Sequence, residues 1–417
     1  MQSFKELYNR LVKAAVENRT DEEVEKIRKL DFDSHQLECL LHPENYGPVW
    51  RLENCDCPEE ERDKCPVKCL FDAIERNEEG NLVINMEKCI GCSDCIDSCK
   101  AEKLVGSKEV LPALEAINKA KGPVYAMIAP AFTSQFSESV TPGKLRSAFK
   151  QLGFSGMVEV ALFADILTLK EALEFDRSIR TEKDFLLTSC CCPMWIAMIR
   201  RVYHQFVTHV PGSVSPMVAC GRSIKLMEPD SVTVFIGPCI AKKAEAREKD
   251  IADAVDFVLT FQEVQDIFQA ANINPEEMEE DSRDHSSKAG RIYARTGGVS
   301  EAVKSTVERL NPHRAISIRT QQADGMPACK EMLNSLKEGG ITANFLEGMG
   351  CVGGCVGGPK AILNREEGRK NVNQYGSQAI YPTPIDNPYV IDLLHRLGFD
   401  TVESLLEHSD IFTRDFR

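Results

Sequence analysis

The stretch Cys89 to Cys99, "CIGCSDCIDSC", leaves the chain little freedom, because its C-x2-C-x2-C-x3-C spacing forces tight turns that aim several thiolates at one small body. That run ligates a [4Fe-4S] cubane, whose sulfides also draw in backbone N–H groups. The alternative is structural zinc, but zinc sites usually show two C-x2-C pairs separated by a longer loop. Upstream, Cys55, Cys57, Cys65 and Cys69 keep the closing C-x3-C and open the front to C-x-C-x7-C, which predicts a second cubane. The chain has 417 residues, 43% of them hydrophobic, enough for two or three domains with proper cores. Its 17 cysteines are therefore not needed as staples.

Where two such runs lie together, the fourth cysteine of each binds the other cluster. This implies Cys55, Cys57 and Cys65 with Cys99, and Cys89, Cys92 and Cys95 with Cys69. Two cubanes so close form an electron relay. The opening "MQSFKELYNR" lacks the apolar segment of a secretory leader, so the expected location is the reducing cytoplasm, where disulfides are rare. Apolar runs such as "VYAMIAPAF" fall short of the ~20 residues of a spanning helix, so no membrane is expected. A net charge of -14 argues against nucleic acid as a partner.

The chain divides by composition into an N-terminal helical segment (1–48), a small cysteine-rich domain (49–106) and a large remainder (107–417). Phe4, Leu7, Leu11 and Ala15 recur at helical spacing in the first. In the third, short apolar runs alternate with helix-like segments: "GPVYAMIAPA", "GMVEVALFAD", "DFLLTS", "SVTVFIGP", "VDFVLTF" and "ITANFLEGM". Such alternation predicts an α/β fold with largely parallel sheets flanked by helices. Sites then form where loops leave the carboxyl ends of strands. One or more of Cys190, Cys191 and Cys192, then Cys239, and then Cys351 with Cys355 each follow an apolar run. Four thiolates from three loops suffice for one further cubane. Cys39, without partner spacing, reads as a buried thiol.

The motifs "TSCCCPMW", "GPCIAKKAE" and "EGMGCVGGCVGG", with "ARTGGVSEA", resemble those of the [FeFe]-hydrogenase catalytic domain, over roughly residues 50 to 400. The resemblance implies a two-lobed catalytic domain behind an α+β ferredoxin-like domain and N-terminal helices. It implies an H-cluster: a [4Fe-4S] cubane bridged through a cysteine to a diiron azadithiolate unit carrying CO and cyanide. Counting back from Pro193, the resemblance implies Cys192 as a cluster ligand and Cys191 as the free thiol that exchanges protons; by motif it implies Cys192, Cys239, Cys351 and Cys355 as the cubane ligands, with Cys355 as the bridge. Cys190 stands where the family usually has serine. Lys242 matches the cyanide-binding lysine, whose ammonium can donate a charge-assisted bond. Met349 matches a methionine that packs on the diiron unit, while Gly237 replaces a second methionine, as in divergent and sensory branches.

In "LTLKEALEF", Glu171 and Glu174 match relay glutamates and, spaced i, i+3, share one helix face. The serine expected between them is Pro211, which has neither hydroxyl nor N–H, and Ser213 is the nearest substitute. Glu245 and Glu248 are the other carboxylates close to Cys239. The implied activity is reversible conversion of protons and electrons to H2. A ferredoxin-like carrier would supply electrons, and hydrogenase maturation proteins would supply the diiron unit. Two rivals stand beside it: an H2 or redox sensor read by a signalling partner, and an iron–sulfur assembly factor that keeps the cubane without the diiron unit.

Overall fold

The computed structural model describes residues 2–416 except 54, 56, 59, 61–63, 66–68 and 79. Eleven strands are formed among the described residues: β1 (Val49–Arg51), β2 (Ile74–Arg76), β3 (Leu82–Ile84), β4 (Leu104–Gly106), β5 (Val124–Ile128), β6 (Gly156–Glu159), β7 (Leu186–Leu187), β8 (Val232–Gly237), β9 (Phe257–Thr260), β10 (Thr320–Asp324) and β11 (Phe345–Met349). β5, β6, β8 and β9 make a parallel sheet in the order β6-β5-β8-β9. β7, β10 and β11 make a second parallel sheet in the order β10-β11-β7. The cysteine-rich segment carries two antiparallel pairs, β1 with β4 and β2 with β3. The protein is an α/β fold with parallel sheets flanked by helices.

Each parallel sheet has its own apolar core. Val234, Ile236, Ile128 and Leu259 belong to one, and Leu187, Leu346, Trp195 and Phe175 to the other. The first sheet changes winding direction between β5 and β8, where loops leave diverging and open a crevice. The helix Ala161–Ser178 spans both cores, with Ile166 and Leu169 in one and Ala172 and Phe175 in the other. The apolar stretch "GMVEVALFAD", expected as one strand, divides here: β6 ends at Glu159 and this helix begins at Ala161. A helix buried on every side lacks the polar face that would mark it in sequence. β10, "TQQAD", escapes the apolar pattern because Gln321 and Gln322 are exposed.

The helices Phe4–Val16, Thr20–Ile27 and Ser34–Leu41 precede the cysteine-rich segment. Leu7, Leu11 and Leu40 join the first core, where the first of these helices packs against the helix Phe261–Ala270. Nearby, Lys243 Nζ reaches both Glu263 carboxylate oxygens at 3.0 and 3.1 Å. Neither side chain is exposed. Glu263 also closes a capping box with Thr260. Burial works to raise the Glu263 carboxyl, but Lys243 and Lys108 overcome it and the net shift is downward.

Removing one partner of such a pair leaves an uncompensated charge. Glu263→Gln should therefore cost about 3–5 kcal/mol of stability in urea unfolding. Because the folded carboxyl titrates below its unfolded value, that difference is full above the ordinary carboxylate range and shrinks as pH falls through the folded value. A variant as stable as the parent at neutral pH contradicts this.

Candidate metal centre

The triple cysteine follows β7, whose last residues pair with β11. Ser189 takes a left-handed φ of 70° and turns the chain there, so the three thiols part company. Cys190 Sγ donates to Glu171 Oε1 and to the Val214 carbonyl, each at 3.4 Å. Cys192 precedes the helix Pro193–Arg201, and its sulfur accepts the Gly350 N–H at 3.2 Å. Cys191 lies between them, near enough to feel charge on Cys190, Cys355, Cys192 and Lys242. The indole of Trp195 donates to the Thr188 carbonyl at 2.8 Å and ties the new helix back to the strand end.

Cys239 leaves β8 at the crevice beside β5, and Cys351 follows β11. Thiols from the three loops meet: Cys239 senses Cys192, Cys351 senses Cys239, Cys192 and Cys355, and Cys355 senses Cys192 and Cys239. Burial pushes every one of these thiols up, Cys239 to about 11 and Cys355 to about 12. As free groups they stay protonated at neutral pH, and a bound cation is what would hold them as thiolates. Among the described residues no three cysteine, histidine or carboxylate groups converge tightly enough for a single metal ion. A donor set of four thiols spread over three loops suits a multi-iron body better than zinc.

The loop around Cys351 and Cys355 is fastened from outside. Asp324 accepts the Gly353 N–H at 2.9 Å and the Thr296 hydroxyl at 2.8 Å. Glu347, fully buried, accepts N–H bonds from Gly297 and Ser300, both at 2.7 Å. Thus "ARTGGVSEA" acts as a clamp on the cysteine loop. At Gly354, with φ of 84°, an added Cβ would lie 2.7 Å from the Thr296 nitrogen, so the close approach needs glycine. Met349 is 1% exposed at the end of β11. Its carbonyl receives the Cys329 thiol at 3.3 Å.

Lys242 is buried and donates to Glu245 Oε2 at 2.5 Å. Burial alone would lower its pKa, yet Glu245 outweighs burial and the net shift is upward, so Lys242 remains an ammonium beside Cys191 and Cys239. Glu248 pairs with Arg200 and Arg414. At Gly237 an added Cβ would lie 2.9 Å from the Phe235 ring and 3.1 Å from Ala129. The Phe235 ring occupies space that a larger side chain at position 237 would need.

Glu171 and Glu174 lie on one helix but serve different surroundings. Glu171 is 1% exposed and accepts the Thr188 hydroxyl and the Cys190 thiol. Burial raises its carboxyl to about 7, against the lowering pull of those two bonds. Glu174 pairs with Lys170 at 3.3 Å and approaches Arg177. Buried Lys170 also donates to Ser213 Oγ at 2.8 Å, so a lysine side chain joins Ser213 to Glu174. Lys170 and Thr188 carry no sequence signal for this position, because only the tertiary fold brings residue 213 beside residue 170.

Earlier in the chain, all eight cysteines of the two spaced runs line one cavity of about 330 Å³. Cys69 exerts charge on Cys89 and Cys95. Cys39 is 1% exposed in the first core.

Similarity to known proteins agrees with this geometry. Residues 122–359 match the family described as iron only hydrogenase large subunit, C-terminal domain. Iron hydrogenase 1 of Clostridium pasteurianum is 29% identical over 275 residues, covering 56% of this chain and 48% of that protein. The chain therefore spans about half the length of that relative. Cytosolic iron-sulfur assembly component 3 of Rattus norvegicus is 24% identical over 377 residues, covering 74% of this chain and 79% of the relative. In fold, an [FeFe]-hydrogenase of Chlamydomonas reinhardtii superposes with a TM-score of 0.59 at 22% identity, covering 74% of this chain and 99% of the other. With more than half of its length in the match, the chain belongs to the iron-only hydrogenase large-subunit family of hydrogenase-like iron–sulfur proteins.

Proposed function

We propose that this protein is an enzyme that interconverts H2 with protons and electrons at an H-cluster. Residues 107–417 would form the catalytic domain, residues 49–106 a ferredoxin-like relay of two [4Fe-4S] clusters, and residues 1–48 a helical cap. Cys192, Cys239, Cys351 and Cys355 would hold the cubane, with Cys355 also bridging to a diiron unit. That unit, bearing CO, cyanide and azadithiolate, would supply the chemistry that makes or splits H2.

One observation carries the reading: buried Lys242 and the free thiol of Cys191 stand beside the four-thiol set, and a cubane alone needs neither. Lys242, kept charged by Glu245, offers an N–H donor to an anionic ligand. Met349 supplies an apolar wall. Cys191 would carry a proton at its sulfur. Glu171, titrating near neutrality behind Cys190, has the poise of a group that both gives and accepts protons. Glu174 would meet solvent, with Lys170 and Ser213 in the gap left by Pro211. A ferredoxin-like carrier is the expected electron partner, and maturation proteins must deliver the diiron unit, because no side chain here can make CO or cyanide. Among the described residues no helix is long and apolar enough to cross a membrane; we place the protein in the cytoplasm.

The second reading, an iron–sulfur assembly factor, draws on the similarity to the Rattus norvegicus protein. A sensor with slow turnover and a signalling partner draws on Gly237 and Pro211. Protein made without maturation enzymes should bind iron and sulfide and evolve no H2. Adding a synthetic diiron precursor should start H2 evolution from a reduced dye, and continued inactivity would favour the assembly factor.

Two further sets of variants divide the roles. Cys191→Ser should suppress H2 evolution at least ~100-fold with cluster iron retained, since a hydroxyl titrates far above a thiol. Cys192→Ser should lose cubane iron. Turnover that depends on Cys190 and not on Cys191 would move the register by one residue. Glu171→Gln, which keeps shape and cannot release a proton, should slow H2 evolution by ~100-fold or more, and Glu174→Gln by less. Normal rates in both would shift the search for the proton route to Glu245 and Glu248, which line a cleft of about 1020 Å³ together with Cys190.

A further inference from the structure

Gly91 lies between Cys89 and Cys92 with φ of 72°. A Cβ added there would sit 3.1 Å from Ala241 Cα, 3.2 Å from Ala241 N and 3.2 Å from the Ile240 carbonyl carbon. All three atoms are backbone, and they belong to the two residues that follow Cys239. The loop of one cysteine set is therefore laid flat on the loop of the other. Gly106, the last residue of β4, makes a second flush contact with the same dipeptide: its added Cβ would meet Ile240 Cδ1 at 2.4 Å.

Independent contacts hold the same junction. Ile90 and Phe71, each 7% exposed, pack into the core that contains Cys192, Trp195 and Ala241. Cys92 and Cys351 line one groove of about 480 Å³. Arg201, which ends the helix that starts beside Cys192, donates to the Lys88 carbonyl at 2.7 Å.

We propose that the contact of Gly91 and Gly106 with Ile240–Ala241 is a spacer that fixes the coupling between two cubanes. One is the cubane of Cys69, Cys89, Cys92 and Cys95. The other is the cubane of Cys192, Cys239, Cys351 and Cys355. Electron tunnelling falls exponentially with separation, so a backbone contact that admits no side chain sets the rate at its upper value. Each event moves one electron: the donor cubane is oxidised by one, the acceptor reduced by one, and no bond or proton changes place. Gly91 is a positioning residue, acting through its loop. The inference rests on the cubane part of the reading above and needs no diiron unit.

The test uses the full chain with its iron–sulfur clusters reconstituted and no diiron unit added. Gly91→Ala, Gly106→Ala and Gly80→Ala are compared. Gly80 is the control, since it shares a left-handed φ of 78° but has nothing within 4 Å of an added Cβ. At Gly106 the intruding atom meets only the movable end of Ile240, so a smaller displacement follows. Electron paramagnetic resonance of the reduced protein reads spin–spin splitting between clusters, alongside iron content and thermal stability. The expected loss of splitting follows the order Gly91→Ala, then Gly106→Ala, with none in Gly80→Ala. A purely structural role would lower stability without moving the splitting. Iron-replete Gly91→Ala with unchanged splitting overturns the proposal. If Gly91→Ala does not hold its iron, Gly106→Ala decides: reduced splitting against Gly80→Ala supports the spacer, and equal splitting overturns it. Because no diiron unit is involved, this test and the H2 assay fail independently.

Discussion

A multi-iron cluster needs four thiolates around one small, dry volume. This chain meets the demand with two parallel sheets whose strand ends supply the loops. Cys190–Cys192 leave β7, Cys239 leaves β8 at the crevice beside β5, and Cys351 follows β11. Burial keeps the free thiols protonated and mutually repulsive once charged. The surrounding fold must therefore be stable before iron arrives. Two carboxylates that accept backbone N–H groups, buried Glu347 and half-buried Asp324, provide that fastening without any metal.

The same economy explains the triple cysteine. A left-handed residue at Ser189 sends neighbouring thiols to different partners: Cys190 to Glu171, Cys192 to the Gly350 N–H, and Cys191 to the space shared with Lys242. On the proposed function, a proton-handling side and an electron-handling side would lie within three consecutive residues. The Gly91 contact adds a third relation, since the loop that follows Cys239 is also the surface on which the cysteine-rich segment rests.

Much of this was legible in the sequence, for a physical reason. Cluster ligation fixes cysteine spacing over a few residues, and parallel strands buried on both faces announce themselves as apolar runs, so the cysteine loops could be placed at strand ends. Other features depend on partners remote in the chain. β10 is polar because only its pairing with β11 makes it a strand. The helix Ala161–Ser178 hides its beginning because both lobes cover it. Lys170 looks like any helix lysine until residue 213 folds beside it. Nothing in "CIGC" tells that its glycine is reserved for a peptide some 150 residues away.

The central proposal is that the residues around Cys355 would hold a diiron unit, with Lys242 as the donor to its anionic ligands. An infrared spectrum of the protein produced with its maturation machinery, recorded after gel filtration, tests this most directly. The account predicts absorption from iron-bound CO and cyanide, with the cyanide bands displaced in Lys242→Gln. A protein that carries its full complement of iron–sulfur clusters and shows no CO or cyanide absorption would contradict it.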